Sequence, residues 1–191
     1  MTESWTRLRA AALDSLATLT DLLGDPATDD RRLVSGYLET KMLLAAAFEA
    51  LAGEKYTDPT VLDSAKTVVE SAMRSLYPDL PVKYLRVRGF GTVHARLLAY
   101  LARRVMSDVS AGELRMLTGD AVHTERRTRE LRDLGFQLDA RHTSGSDVYV
   151  LRSNEPDPVA GAATLVAKNI REDRSISKTE ALAILRAARL S

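Results

Sequence analysis

The chain has 191 residues, of which 45% are hydrophobic and 28% charged, and it contains no cysteine. This composition is typical of one or two globular domains, and it excludes disulfide scaffolds and thiolate metal sites. No apolar run approaches the roughly 18 residues that span a bilayer, and the N-terminal residues lack the pattern of a secretory signal. We therefore expect a soluble, cytoplasmic protein without a membrane partner.

Charge is distributed unevenly along the chain, although the net charge is only +1. Residues 1–83 contain 9 basic and 13 acidic side chains, whereas residues 84–191 contain 18 basic and 13 acidic ones. A basic half favours an acidic partner such as nucleic acid, and an acidic half disfavours it. Any nucleic-acid contact is therefore expected in the second half.

Residues 1–80 predict a bundle of three helices. Apolar residues recur at three- and four-residue steps from Trp5 to Leu23, from Leu33 to Leu51 and from Leu62 to Leu76. Asp25-Pro26 and Asp58-Pro59 separate these stretches, and Asp before Pro is a favoured helix start. The bundle contains no set of catalytic residues, so we expect it to serve as a scaffold or an oligomerisation domain.

Residues 84–153 predict a second domain, after a segment rich in proline and glycine. The segment from Lys83 to Arg88 is compatible with a short strand, and Thr92 is a candidate cap for a helix that continues to Met106. The stretch "SAGELRMLTG" then predicts a short helix from Ser110 to Gly119, and a third helix follows over residues 123–134.

The third helix of this domain has an unusual charge pattern, with four arginines between Arg126 and Arg132. Thr124, Thr128 and Leu131 share one face of the helix and are expected to point inward. The opposite face carries His123, Arg126, Arg129, Glu130 and Asp133. Another histidine, His94, is expected on the surface of the first helix.

A two-stranded hairpin is predicted directly after the third helix. "FQLDA" and "DVYVL" have strand-like patterns, and "RHTSGS" between them places Ser-Gly at the tip. Residues 157–191 then predict two C-terminal helices, the second opened by a capping box from Ser177 to Glu180. We expect these helices to pack back on the chain or to dimerise.

Three helices followed by a hairpin, over residues 92–152, resemble the winged-helix domains of bacterial transcription regulators and of some restriction endonucleases. The resemblance depends on "SAGELRMLTG", "ERRTRELRDLGF" and "DVYVLRS", about a third of the chain. The arginine-rich helix is similar, in particular, to modules appended to nucleases of the HNH type. The three histidines His94, His123 and His142 are scattered, however, and form no His-Asn-His cluster, so nuclease activity is not implied.

The expected fold class is thus mainly α, with an N-terminal three-helix bundle, a winged helix-turn-helix with a two-stranded β wing, and C-terminal helices. The resemblance implies double-stranded DNA as the partner, with the third helix in the major groove and the wing on the backbone. Residues 84–152 support this, since they contain 12 basic and 8 acidic residues. The expected DNA-binding residues are His123, Arg126, Arg127, Arg129, Arg132, Arg141, His142 and Thr143.

Several functions remain compatible with this pattern. Transcription regulation, with a homodimer on paired half-sites, is the leading hypothesis. The alternatives are a DNA-binding accessory subunit of a restriction or phage-defence system, and an adaptor whose winged helix binds only protein. Glu39-Thr40-Lys41 matches the end of a magnesium-nuclease pattern but lies in a helical stretch. We therefore expect no enzymatic activity, no cofactor and no metal.

Overall fold

The computed structural model describes residues 2–119, 124–143 and 145–190. These residues form eight α-helices and one small antiparallel sheet, which confirms the expected fold class of a mainly helical protein with a wing-like hairpin. The helices are α1 (Glu3–Gly24), α2 (Asp30–Lys55), α3 (Thr60–Leu76), α4 (Thr92–Ala102), α5 (Ala111–Leu117), α6 (Thr124–Asp133), α7 (Pro158–Arg171) and α8 (Lys178–Ala187). The strands are β1 (Val109–Ser110), β2 (Leu138–Thr143) and β3 (Ser146–Leu151).

The chain divides into two compact units. The described part of the first unit comprises residues 2–57 and 112–119, and the second comprises residues 58–111, 124–143 and 145–190. The first three helices are therefore divided, because α1 and α2 lie in the first unit and α3 in the second. The domain bounds 1–80, 84–153 and 157–191 stay a prediction.

The first unit is built around an antiparallel hairpin of α1 and α2. Asp29 begins α2 by accepting a hydrogen bond from the backbone N–H of Arg32 at 3.0 Å. The side chains of Ser15 and Thr40 are joined across the two helices by a hydrogen bond of 2.8 Å. Among the described residues of α1 and α2, the buried ones are all small: Ala12, Thr40, Ala47 and Ala52.

The second unit has its core between α3, α4 and α7. Val69 and Met73 of α3, Leu97 and Leu101 of α4, and Val166 and Ile170 of α7 are fully or almost fully buried. The two C-terminal helices start where the sequence indicates. Asp157 accepts from the N–H groups of Val159 and Ala160, and Ser177 and Glu180 form the expected capping box.

The sheet has the order β1-β3-β2, with antiparallel pairing throughout. The predicted hairpin is β2 and β3, in which Arg141 lies opposite Val148 and His142 opposite Asp147. Gly145 in the turn has φ of +78°, a conformation that glycine adopts without strain. The third strand, β1, was not expected, and its two residues pair with Val148 and Tyr149.

Three local predictions for this unit are wrong. The segment from Lys83 to Arg88 is not a strand, because Val82–Tyr84 forms a 3₁₀ turn. The helix expected to reach Met106 ends at Ala102, and its N-cap is Gly91 instead of Thr92. Within the part of the chain that the structure describes, no helix is both long and apolar enough to cross a membrane.

Candidate nucleic-acid interface

The arginine-rich helix α6 buries the face that its sequence predicts. Thr124, Thr128 and Leu131 are at most 3% exposed, and Gly135 ends the helix with φ of +99°. The opposite face is therefore turned to solvent, and Arg126 and Arg129 are both exposed there. These two arginines are three residues apart, so they lie on adjacent turns of the same face.

Glu130 is the centre of a hydrogen-bonded cluster on one side of α6. Its carboxylate accepts from Arg126 Nε at 3.0 Å and from Arg127 Nη1 at 3.1 Å. It also contacts His94 Nε2 of α4 at 2.7 Å. The Glu130 side chain is only 13% exposed, so its charge is compensated largely by these three partners.

The sequence predicted that His94 lies on the surface of its helix. This prediction is wrong, because His94 is only 2% exposed. Its Nδ1 accepts the backbone N–H of Gly91 at 3.3 Å, which leaves Nε2 to carry the proton and donate to Glu130. Burial lowers the pKa of His94, against the opposing effect of the hydrogen bond to Glu130. The contact at neutral pH is thus a hydrogen bond from a neutral imidazole.

The ionisation of Glu130 follows from the same geometry. Burial alone would raise its pKa, but the hydrogen bonds from His94, Arg126 and Arg127 outweigh burial and lower the pKa to about 2. Glu130 is therefore an anion throughout the physiological range. The structure therefore places Glu130 as the partner of neighbouring donors, among them two of the expected DNA-binding arginines, Arg126 and Arg127.

The other two arginines of α6 have different environments. Arg132 donates from Nε to the carbonyl oxygen of Leu138 at 2.7 Å, so it fastens α6 to the first strand of the wing. Arg129 is exposed and makes no hydrogen bond or ion pair with any residue that the structure describes. Arg129 is thus available for an external anion, and Arg132 has a structural role.

The wing carries exposed polar side chains that have local partners. Arg141 pairs with Asp108, and the two side chains are 54% and 55% exposed. His142 Nδ1 lies 2.9 Å from a carboxylate oxygen of Asp147, its cross-strand neighbour. Thr143 is exposed at the end of β2. The expected wing residues are therefore together at one end of the hairpin.

Two further predictions concern residues away from this cluster. His123 lies outside the described residues, so its contacts are not assigned. Glu39, Thr40 and Lys41 lie inside α2, where Thr40 is buried against Ser15. No group of three His, Asp or Glu side chains in residues 2–119, 124–143 and 145–190 is arranged to hold a metal ion.

One comparison with known proteins gives a match in this region. Residues 94–155 match the family model described as the KpnI N-terminal domain. The matched segment runs from α4 to the residues before α7 and covers less than half of the chain. It relates the segment to a domain associated with restriction systems, and it does not specify a winged-helix DNA-binding domain.

The other comparisons give no match, either among curated proteins or among solved structures. The family match therefore supports one part of the resemblance noted in the sequence, the link to restriction enzymes. The family match begins at His94 and contains Glu130, so both members of the buried pair lie within it. No sequence motif indicated this pair, because 36 residues separate its members.

Proposed function

We propose that this protein binds duplex DNA as an accessory component of a restriction system. α6 would lie in the major groove, and the β2–β3 wing would contact the adjacent backbone. The family match supports the association with restriction, and the excess of basic residues between 84 and 152 supports an anionic partner. Of the alternatives stated from sequence, transcription regulation has no such observation in its favour.

The observation that carries the proposal is the exposed face of α6. Arg129 is exposed without a partner among the described residues, and the side chain of Arg126 is 70% exposed beside it. Guanidinium groups bind phosphates and guanine edges with paired hydrogen bonds. Two arginines on adjacent turns of one helix therefore match the spacing of a groove-reading surface.

The internal ion pairs of this surface are compatible with DNA binding. Arg141 and Asp108 are both more than half exposed in their pair. Exposed pairs contribute about 0–1 kcal/mol, because water screens them and ordering the side chains costs entropy, so a phosphate can replace Asp108 at small energetic cost. Arg126 is 70% exposed, and Glu130 keeps Arg127 and His94 as donors if Arg126 turns to a phosphate.

We propose binding without catalysis for this chain. The histidines His94, His123 and His142 form no His-Asn-His motif in the sequence, and His94 serves as the donor to the carboxylate of Glu130. Cleavage in such a system would then belong to a partner protein. The remaining alternative is an adaptor that binds only protein, and salt-sensitive binding of a duplex would exclude it.

Fluorescence anisotropy with labelled duplexes tests the proposal. We expect binding whose affinity falls steeply between low and high salt, because phosphate contacts release counterions. Arg129→Ala should weaken binding by about 1–3 kcal/mol on its preferred sequence if it reads a guanine. Arg9→Ala, an exposed arginine of α1, is the matched control and should bind as the unchanged protein does. Absence of salt-sensitive binding would favour the adaptor.

We also propose that the protein acts as a homodimer through α1 and α2. This hairpin exposes large apolar side chains, including Leu16, Tyr37 and Phe48, which line one groove between the helices. At 1.5 Å per residue, helices of 22 and 26 residues are about 33 and 39 Å long, and side by side they are roughly 20 Å wide.

The area of this face fits a second copy of the chain. The flat outline of the helix pair, its length times its width, is roughly 700 Å², which leaves room for a standard interface, to which each partner contributes approximately 800 Å² of accessible surface. Two hairpins packed face to face would form a four-helix bundle, a common solution for unpartnered helix pairs. Residues 2–57 contain 6 basic and 9 acidic side chains, so this hairpin is a poor surface for phosphate.

A further inference from the structure

A basic cleft of about 450 Å³ lies in the second unit, beside α6. Its walls are the segment 83–89, the Arg126–Glu130 side of α6, and the C-terminal end of α7 with the residues after it. Six cationic side chains line it, against three acidic ones, Glu130, Glu172 and Asp173. The cations are Lys83, Arg88, Arg126, Arg127, Lys168 and Arg174.

The wall formed by the segment 83–89 is fixed in place by α7 and by the turn after it. The side-chain amide of Asn169 donates to the carbonyl oxygens of Tyr84 and Arg86, both at 2.9 Å. The hydroxyl of Tyr84 and the ammonium of Lys83 donate to Asp173 at 2.7 and 2.6 Å. The segment therefore presents its basic residues from a preformed position.

Two of the three acids are already used by donors of the cleft itself. Glu130 accepts from His94, Arg126 and Arg127, and Asp173 accepts from Lys83 and Tyr84. Arg88 and Arg174 are exposed and have no ion pair or hydrogen bond among the described residues. In the described part of the chain, the cleft thus has two guanidinium groups without a partner against one such carboxylate, Glu172, and keeps an excess of cations.

We propose that this cleft binds backbone phosphates of the same duplex that α6 contacts. This inference rests on the proposed function and extends it to a second surface, formed by Arg88 and Arg174. Arg126 and Arg127 are common to α6 and the cleft, so a duplex lying on α6 brings one of its backbones to the cleft. Guanidinium groups bind phosphate oxygens with two parallel hydrogen bonds. The cleft presents such groups from two walls, with Arg88 on one and Arg174 on the other.

The double variant Arg88→Ala/Arg174→Ala tests this assignment. Each phosphate contact contributes about 0.9 to the slope of log K against log salt, so the slope should decrease by about 2 in the variant. All duplex sequences should be weakened alike, because phosphate contacts do not read bases. Arg186→Ala, an exposed arginine of α8, is the matched control and should leave the slope unchanged.

The outcomes separate the two proposals. If the unchanged protein binds duplex with salt sensitivity and the double variant has the same slope, the cleft assignment is overturned and DNA binding through α6 stands. If the unchanged protein shows no salt-sensitive binding, the proposed function fails and the cleft assignment fails with it. Inorganic phosphate is the further probe. Saturable phosphate binding in the absence of DNA, lost in a variant whose salt slope for DNA is unchanged, would identify a small-anion site and overturn the duplex assignment.

Discussion

Glu130 connects the stability of the second unit to the charge of the proposed DNA-binding surface. It is a nearly buried carboxylate that satisfies one buried imidazole and two exposed guanidinium groups. Removing it would leave the Nε2 proton of His94 without its acceptor in a site that is 2% exposed. It would also release Arg126 and Arg127 for external anions. Stability and DNA affinity should therefore change in opposite directions.

We expect Glu130→Gln to destabilise the protein and to change its response to acid. The folded pKa of Glu130 is about 2, below the unfolded value of 4.5, so its contribution is present above pH 4.5 and is lost between pH 4.5 and 2. At pH 7 the unfolding free energy of the variant should be about 2–3 kcal/mol lower than that of the unchanged protein. The variant should also lack the decrease in stability that Glu130 causes between pH 4.5 and 2. Urea unfolding at pH 7, 5 and 3 measures both effects.

A second acid-dependent loss belongs to His94. Burial lowers its pKa below the unfolded value of 6.5, so the stability it contributes is complete above pH 6.5 and declines as pH falls through the folded pKa. This loss of stability begins at higher pH than the loss that Glu130 causes.

Glu155→Gln, at an exposed site, is the control for Glu130→Gln and should keep the dependence of unfolding on pH that the unchanged protein has. A Glu130 variant with the same profile would contradict the role of this cluster.

The junction of α6 and α7 is a close backbone contact that glycine makes possible. Gly135 ends α6 in a left-handed conformation, and its carbonyl accepts the N–H of Asp157, the cap of α7, at 2.9 Å. A Cβ on Gly161 of α7 would lie 2.6 Å from the carbonyl oxygen of Leu134. The two helices therefore approach each other at a distance that a side chain at position 161 would prevent.

Gly161→Ala should separate α7 from α6 and destabilise the second unit. Backbone atoms cannot yield as a flexible side chain can, so we expect a loss of about 1–3 kcal/mol of unfolding free energy. Gly24→Ala is the matched control, because a Cβ there meets no atom within 4 Å and alanine is the better helix former. Thermal unfolding of the two variants measures the difference. Equal melting temperatures would show that the close approach does not contribute to stability.

Local sequence signals predicted the elements of this fold better than their contacts. The capping box at Ser177 and the inward face of α6 depend on residues within one or two turns, and both are confirmed. β1 has two residues and exists only because it pairs with β3, about 40 residues later, so no local pattern could indicate it. The His94–Glu130 pair has the same cause, since the packing of α4 on α6 creates it.

The protein as a whole combines a basic surface in one unit with an apolar face in the other. The cations of α6, the wing and the cleft lie in the second unit, whereas the groove of Leu16, Tyr37 and Phe48 lies in the first. A dimer formed through the first unit would carry two copies of the proposed DNA-binding surface. A two-fold DNA-binding protein recognises paired half-sites, so the proposed dimer would read two half-sites related by two-fold symmetry.

Tyr37→Glu/Phe48→Glu should convert the proposed dimer to a monomer. Both side chains are more than 40% exposed, and burying each in an interface contributes about 1.5–3 kcal/mol, so two charges there should weaken association at least 100-fold. Val159→Glu/Leu182→Glu is the matched control, because these residues are equally exposed but lie in the second unit. Sedimentation velocity over a concentration series should give twice the 21.0 kDa chain mass for the unchanged protein and the control. A monomeric unchanged protein at high concentration, or a double variant that still dimerises, would refute assembly through this hairpin.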